Sequence, residues 1–314
     1  MRFTLVWLAR PSPPCHRDSM RLVLALLAIS IALGGSALAQ STPPISTREA
    51  QRPAKDLFSR ATRPASTASR PEIFGSYARG CISGAVALPT DGPNWQAMRL
   101  SRNRNCGHPA LISVVTRLSR EAAKATGWPG ILVGDFGQPR GGPSNSDHAS
   151  HQIGLDADIW LTPMPARTLS TSEREHLSAV NMVASDWNDV DPAAWTAAQR
   201  AFIRVAAQQP EVERILVNPA IKKALCRDTT GDRGWLHKVR PYWGHNTHMH
   251  LRIACPPGNA HCRAQAPTPR SDGCDATLDW WFTAEARAPY KGPKKPPLKL
   301  SDLPPQCRAV LTAP

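Results

Sequence analysis

Ser146-Asp147-His148-Ala149-Ser150-His151-Gln152-Ile153-Gly154-Leu155-Asp156-Ala157-Asp158 and, further along, His245-Asn246-Thr247-His248-Met249-His250 hold five of the ten histidines in this 314-residue chain. Both stretches run into strict alternation. Asp156 and Asp158 interleave with Leu155, Ala157 and Ile159, while His248 and His250 interleave with Met249, Leu251 and Ile253. A β-strand turns successive side chains to opposite faces. Each stretch therefore predicts a half-buried strand, its apolar face toward the core and its imidazoles or carboxylates on the other side. Gly154 falls between His151 and Asp158, and a turn there lets both side chains converge on one point. Neutral imidazole and carboxylate bind zinc at roughly 2.0–2.2 Å, and a catalytic site uses three such ligands with a fourth position open. The pattern places a metal site on one face of a sheet. No His-Glu-x-x-His occurs, so a zincin helix with its glutamate base is excluded.

Around these strands the chain mixes helices and strands. Leu111, Val114, Val115, Leu118 and Ala122 recur at helical spacing up to Gly127. Residues 131–135, 155–161, 213–217 and 248–253 read as strands. Asp191-Pro192 reads as an N-cap and first turn for a helix over 195–208, and Asn218-Pro219 caps a short helix through Leu225. Strands and helices do not alternate strictly, which predicts α+β. The expected architecture is a single domain with a mainly antiparallel sheet carrying the zinc site, helices packed on it, and an extended C-terminal strap that ends at Cys307.

The ends read differently. Residues 22–33 are an apolar run behind Arg21, and Ala37-Leu38-Ala39 closes it with small residues, so residues 1–39 read as a signal peptide cleaved after about Ala39. Residues 40–70 are rich in Ser, Thr, Pro, Ala and Arg and read as a flexible linker. Residues 71–287 read as the domain that carries the metal site and 288–314 as a Pro/Lys-rich strap. No second long apolar run occurs, so the mature chain is not expected to span a membrane. Loss of the leader removes four Arg and one Asp and takes the formal charge from +14 to +11. A basic exported protein expects anionic partners. Cell-wall polymer suits that compartment, the periplasm, better than nucleic acid. Arg140 and Arg240 are candidates for pairing with carboxylates of such a polymer. Seven cysteines survive cleavage, with no Cys-x-x-Cys pair, and read as disulfides with one thiol left over. Homo-oligomerisation stays open.

At these residues the chain resembles the penicillin-insensitive murein endopeptidases, exported zinc enzymes that cut peptidoglycan cross-links. The resemblance runs from residue 74 to the C-terminus. It rests on Gly75-Ser76-Tyr77-Ala78-Arg79-Gly80-Cys81, Gly107-His108-Pro109, His148-Ala149-Ser150-His151-Gln152 with Gly154-Leu155-Asp156, Val217-Asn218-Pro219-Ala220-Ile221-Lys222, Lys238-Val239-Arg240-Pro241 and His248-Met249-His250. The zinc pattern alone is shared with D-Ala-D-Ala dipeptidases. The resemblance implies zinc ligands at His151, Asp158 and His250, with His248 as general base or transition-state stabiliser. His245 would line the cleft. It also implies a second metal ion, held by the first histidine of the pair and a downstream Asp-x-x-His. Here that stretch reads Asp186-Trp187-Asn188-Asp189, with Asp where the family has His, which leaves His148 and Asp186 as candidate ligands of a second zinc. The implied disulfides are Cys81–Cys307, Cys226–Cys274 and Cys255–Cys262, with Cys106 as the free thiol.

The substrate so implied is the peptidoglycan stem peptide, cut at the D-Ala–meso-diaminopimelate cross-link. Two rivals share the pattern: a D,D-carboxypeptidase or dipeptidase on the same zinc core, and a non-catalytic wall-binding protein. A serine acyl-enzyme is disfavoured, since neither Ser-x-x-Lys nor Gly-x-Ser-x-Gly occurs.

Overall fold

The computed structural model describes residues 45–65, 70–146, 148–289, 291–293 and 295–313. The proposed leader lies outside them. Eleven strands follow in chain order: β1 (Glu72–Ser76), β2 (Arg79–Ser83), β3 (Val86–Ala87), β4 (Asp91–Gly92), β5 (Trp95–Ala97), β6 (Cys106–Gly107), β7 (Ile131–Val133), β8 (Asp156–Pro163), β9 (Val212–Val217), β10 (Val239–Pro241) and β11 (His248–Ile253). Seven of them form one sheet in the order β10-β9-β11-β8-β7-β5-β4. Its pairs are antiparallel except β5 with β7 and β9 with β10. The fold is α+β with a mixed, mainly antiparallel sheet.

The alternation read from sequence decides how this sheet is buried. Ala157, Ile159, Met249, Leu251 and Ile253 are all fully buried in the main core. Each large side chain among them contributes about 1.5–3 kcal/mol by leaving water. The helices Pro109–Thr126 and Ala197–Ala207 join the same core through Leu111, Val114, Leu118, Phe202 and Ile203. Pro109 opens the first helix behind His108, whose side chain accepts from the Ala110 N–H, and Gly127 ends it at φ 75°. That positive φ suits glycine, which lacks the Cβ that disfavours it.

The second helix starts later than its sequence suggests. Thr196, not Asp191, is its N-cap, in a reciprocal capping box with Gln199. Asp191 instead closes a preceding turn, its backbone oxygen accepting from Ala194 and Trp195. Both residues can cap, but only Thr196 has a glutamine three residues on.

The segment before the domain is also more ordered than its composition suggests. Residues 45–65 carry the short helices Thr47–Ala50 and Ala54–Phe58. Ala54, Leu57, Phe58 and Ala65 are buried in a second cluster with Phe74, Leu300, Leu303, Cys307 and Val310. The C-terminal strap therefore covers the start of the domain, and it ends in the helix Gln306–Thr312 rather than in extended chain.

Three disulfides close among the described residues: Cys81–Cys307, Cys226–Cys274 and Cys255–Cys262. These are the pairs the resemblance implies. Cys106 differs from expectation: no cysteine among the described residues is free, Cys106 included. The Cys81–Cys307 bridge spans 226 positions. In the chain-entropy model a loop of that length is worth up to about 5 kcal/mol. Replacing both cysteines by serine should therefore lower the urea midpoint clearly. An unchanged midpoint would show that the strap is held by packing alone.

Candidate metal centre

The polar face of the sheet carries the site. In the β8–β11 register, His250 lies opposite Asp158, Arg252 opposite Asp156 and His248 opposite Trp160. His151 reaches the same place from the loop before β8. Its backbone takes φ 66°, and its N–H donates to Asp156 Oδ2 at 3.0 Å. A left-handed non-glycine costs about 1–2 kcal/mol. Gly154, at φ 68°, completes the turn, and a Cβ there would stand 2.9 Å from the His108 nitrogen. Only glycine allows the loop to fold back so tightly.

Asp158 is the centre of the group. Its Oδ1 lies 3.4 Å from His151 Nε2 and 3.0 Å from His250 Nδ1, and its Oδ2 lies 3.4 Å from His148 Nδ1. The donor atoms of His148, His151, Asp158 and His250 all fall within 4.8 Å of one another. Ligands about 2.1 Å from a tetrahedral ion stand roughly 3.4 Å apart, so these spacings suit one metal ion. His151, Asp158 and His250 are buried, and His148 opens the group to solvent.

The free nitrogens point the same way. His151 Nδ1 donates to the Phe136 carbonyl oxygen at 2.5 Å, so its Nε2 carries the lone pair. That Nε2 is buried and has no hydrogen-bond partner. His248 Nε2 is likewise buried and unpartnered, 3.8 Å from Asp158 Oδ1, while its Nδ1 meets Thr247 Oγ1 at 3.2 Å. Buried polar atoms without partners are rare, and an ion is one of the explanations they admit.

Charge and burial oppose each other here. Burial alone would raise the Asp158 carboxyl, but the His151 imidazole, then His248 and His250, hold it well below the usual carboxylate range. Burial alone would lower His250, but Asp156 and Asp158 outweigh it and push the imidazole up to about 9. His248 and His148 are pushed down by burial, and His245 falls to about 4 for the same reason.

His245 stands beside the group, its ring 5.1 Å from that of His248 and its Nδ1 donating to the Trp243 oxygen at 2.9 Å. Its other side meets Tyr242 at 5.6 Å, and Tyr242 leads to Trp281 and Trp280. Asp186 is not in the group. Its carboxylate accepts from Asn188 N and Nδ2 in an exposed turn. The structure thus draws His148 toward Asp158 and leaves Asp186 apart from both. Arg140 is not a cleft residue: it is buried and donates to the carbonyls of Arg63, Val310 and Leu311, tying both chain ends together. Arg240 sits on β10 at the sheet edge, packed against Gly273. Sequence reasoning gave no role to Asp156, which hydrogen-bonds both His151 and His250. Its signal was its place on the Asp158 face, one alternation earlier.

A carboxylate sunk in a sheet and ringed by imidazoles, one of them open to solvent, is a donor set that suits a metal ion. The family model described as penicillin-insensitive murein endopeptidase matches residues 73–312, and the chain belongs to that family. Proteins of that name are similar along most of the chain. The one from Klebsiella pneumoniae is 44% identical over 242 residues, covering 76% of this chain and 86% of its own. The Yersinia enterocolitica protein is 39% identical over 289 residues, 92% and 95% of the two chains. The Haemophilus influenzae protein is 44% identical over 246 residues, 77% and 82%.

Proposed function

We propose that this protein is a zinc-dependent, periplasmic murein endopeptidase that hydrolyses the D-Ala–meso-diaminopimelate cross-link between peptidoglycan stem peptides. The observation that carries the metal reading is the buried, unpartnered Nε2 of His151 facing Asp158 beside His250. Three imidazoles and one carboxylate suit zinc better than the oxygen-preferring magnesium or calcium. His151, Asp158 and His250 would hold the ion, with His148 on the solvent side. Zinc bound there would polarise the scissile carbonyl and bring the pKa of a water to about 7.

The remaining work falls to the chain. Burial keeps His248 neutral near pH 7, with Nε2 free to accept a proton from the attacking water and return it to the leaving amine. His245 packs against His248 and limits where its ring can turn. Three disulfides fit the oxidising compartment that export would provide. No described helix is long and apolar enough to cross a membrane.

Cleavage of cross-linked muropeptides should stop on treatment with a strong zinc chelator, return on adding zinc, and be untouched by penicillin. β-Lactams trap a covalent acyl-enzyme, which a metal-activated water does not form. Activity that survives complete zinc removal, or falls with penicillin, would overturn the reading.

A further inference from the structure

We propose that Asp156 is a positioning residue for the metal site: it fixes which nitrogen of His250 faces Asp158, and Arg252 holds Asp156 in turn. The inference rests on the metal reading above. The Asp156 side chain is fully buried. Its Oδ1 accepts from His250 Nε2 at 3.0 Å and from Arg252 Nε at 2.7 Å, and its Oδ2 accepts from the His151 N–H at 3.0 Å. One carboxylate therefore grips two proposed ligands, one by its ring and one by its backbone. With both oxygens taken by protein donors, Asp156 is not itself a ligand.

An imidazole has two nitrogens, and the hydrogen bond made by one sets which is left to bind a metal. Nε2–H donation to Asp156 leaves Nδ1 of His250 on the Asp158 side, 3.0 Å away, where a bound cation would take the place of its proton. His151 is held the opposite way, through Nδ1 to the Phe136 oxygen, which leaves its Nε2. The two histidines thus present opposite nitrogens, each fixed by its own acceptor. The acceptor behind His250 is a full negative charge, which makes that ring a stronger donor to a cation. Such a charge is costly when buried alone. Arg252 supplies the counter-charge and is itself fixed, its guanidinium 3.9 Å over the Tyr77 ring and its Nη1 donating to Gln265 Oε1 at 2.7 Å. The β8–β11 register makes this arrangement possible, setting Arg252 opposite Asp156 one alternation along from His250 and Asp158.

The test is Asp156→Asn, which keeps the shape and removes the charge. Zinc affinity is measured by competition with a chromophoric chelator, and the histidine tautomers are read by nitrogen NMR on the zinc-loaded wild type. The variant should bind zinc about 10–100-fold more weakly, the usual effect of losing such a partner. The wild type should show His250 protonated at Nε2 and bound through Nδ1, and His151 the reverse. A folded variant with wild-type zinc affinity, or a wild type with His250 bound through Nε2, overturns the inference. The tautomer measurement decides even where the variant does not fold. A wild type that takes up no zinc overturns the metal reading and this inference with it.

Discussion

Replacing His151, Asp158 or His250 by alanine should empty the zinc site and lower cross-link hydrolysis by at least about 10⁴-fold. Two ligands hold zinc far less well than three against competition from water. Losing the ion removes several kcal/mol of transition-state stabilisation, at a factor of ten for each 1.36 kcal/mol. The geometry makes the loss general. Each of the three side chains is buried, and both histidines converge on Asp158 Oδ1. No other described group of three or more His, Cys, Asp or Glu residues stands close enough to take over the ion. Elemental analysis of the purified variants checks the claim. Near-stoichiometric zinc in all three would show that the ion is held elsewhere.

His248→Ala should keep the zinc and still lose about 10²–10⁴-fold in turnover, the usual size of a general acid–base contribution. His248 shares a strand face with His250 but stands 3.8 Å from Asp158 Oδ1, the longest of the four imidazole contacts to that carboxylate. Its Nε2 is buried without a hydrogen-bond partner, which leaves that nitrogen available for proton transfer at the site. Zinc content and turnover are measured on the same preparation. Wild-type turnover with full zinc would move the proton transfer to another group, with His245 the nearest candidate.

How far the sequence carried this account depends on the range of each interaction. The strands bearing Asp158 and His250 were legible because a period of two is a local signal, and the core needs one face of each. The helix ending at Gly127 was legible for the same reason, from spacing and a terminator. Asp156 was not read as more than a strand residue, because its partners His250 and Arg252 lie 94 and 96 positions away and enter only through strand pairing. The segment 54–65 looked like a linker because it offers few large apolar residues. Two of them, Leu57 and Phe58, are nevertheless buried against the strap, and Phe58 packs where Gly142 leaves room for it. The start of the second long helix was misplaced because Asp191 and Thr196 both suit an N-cap. The choice rests on Gln199, which closes the box on Thr196 and reaches the Leu161 oxygen with its amide.

The most direct test of the central claim is digestion of a purified, D-Ala–meso-diaminopimelate cross-linked muropeptide dimer by the zinc-loaded protein, with products identified by mass spectrometry and the uncross-linked monomer as a parallel substrate. The account predicts that dimer is converted to two monomers by hydrolysis of the bridge, and that the monomer is left unchanged. Release of terminal D-Ala with the bridge intact would make the protein a carboxypeptidase on the same site, and an untouched dimer with bound zinc would contradict the account altogether.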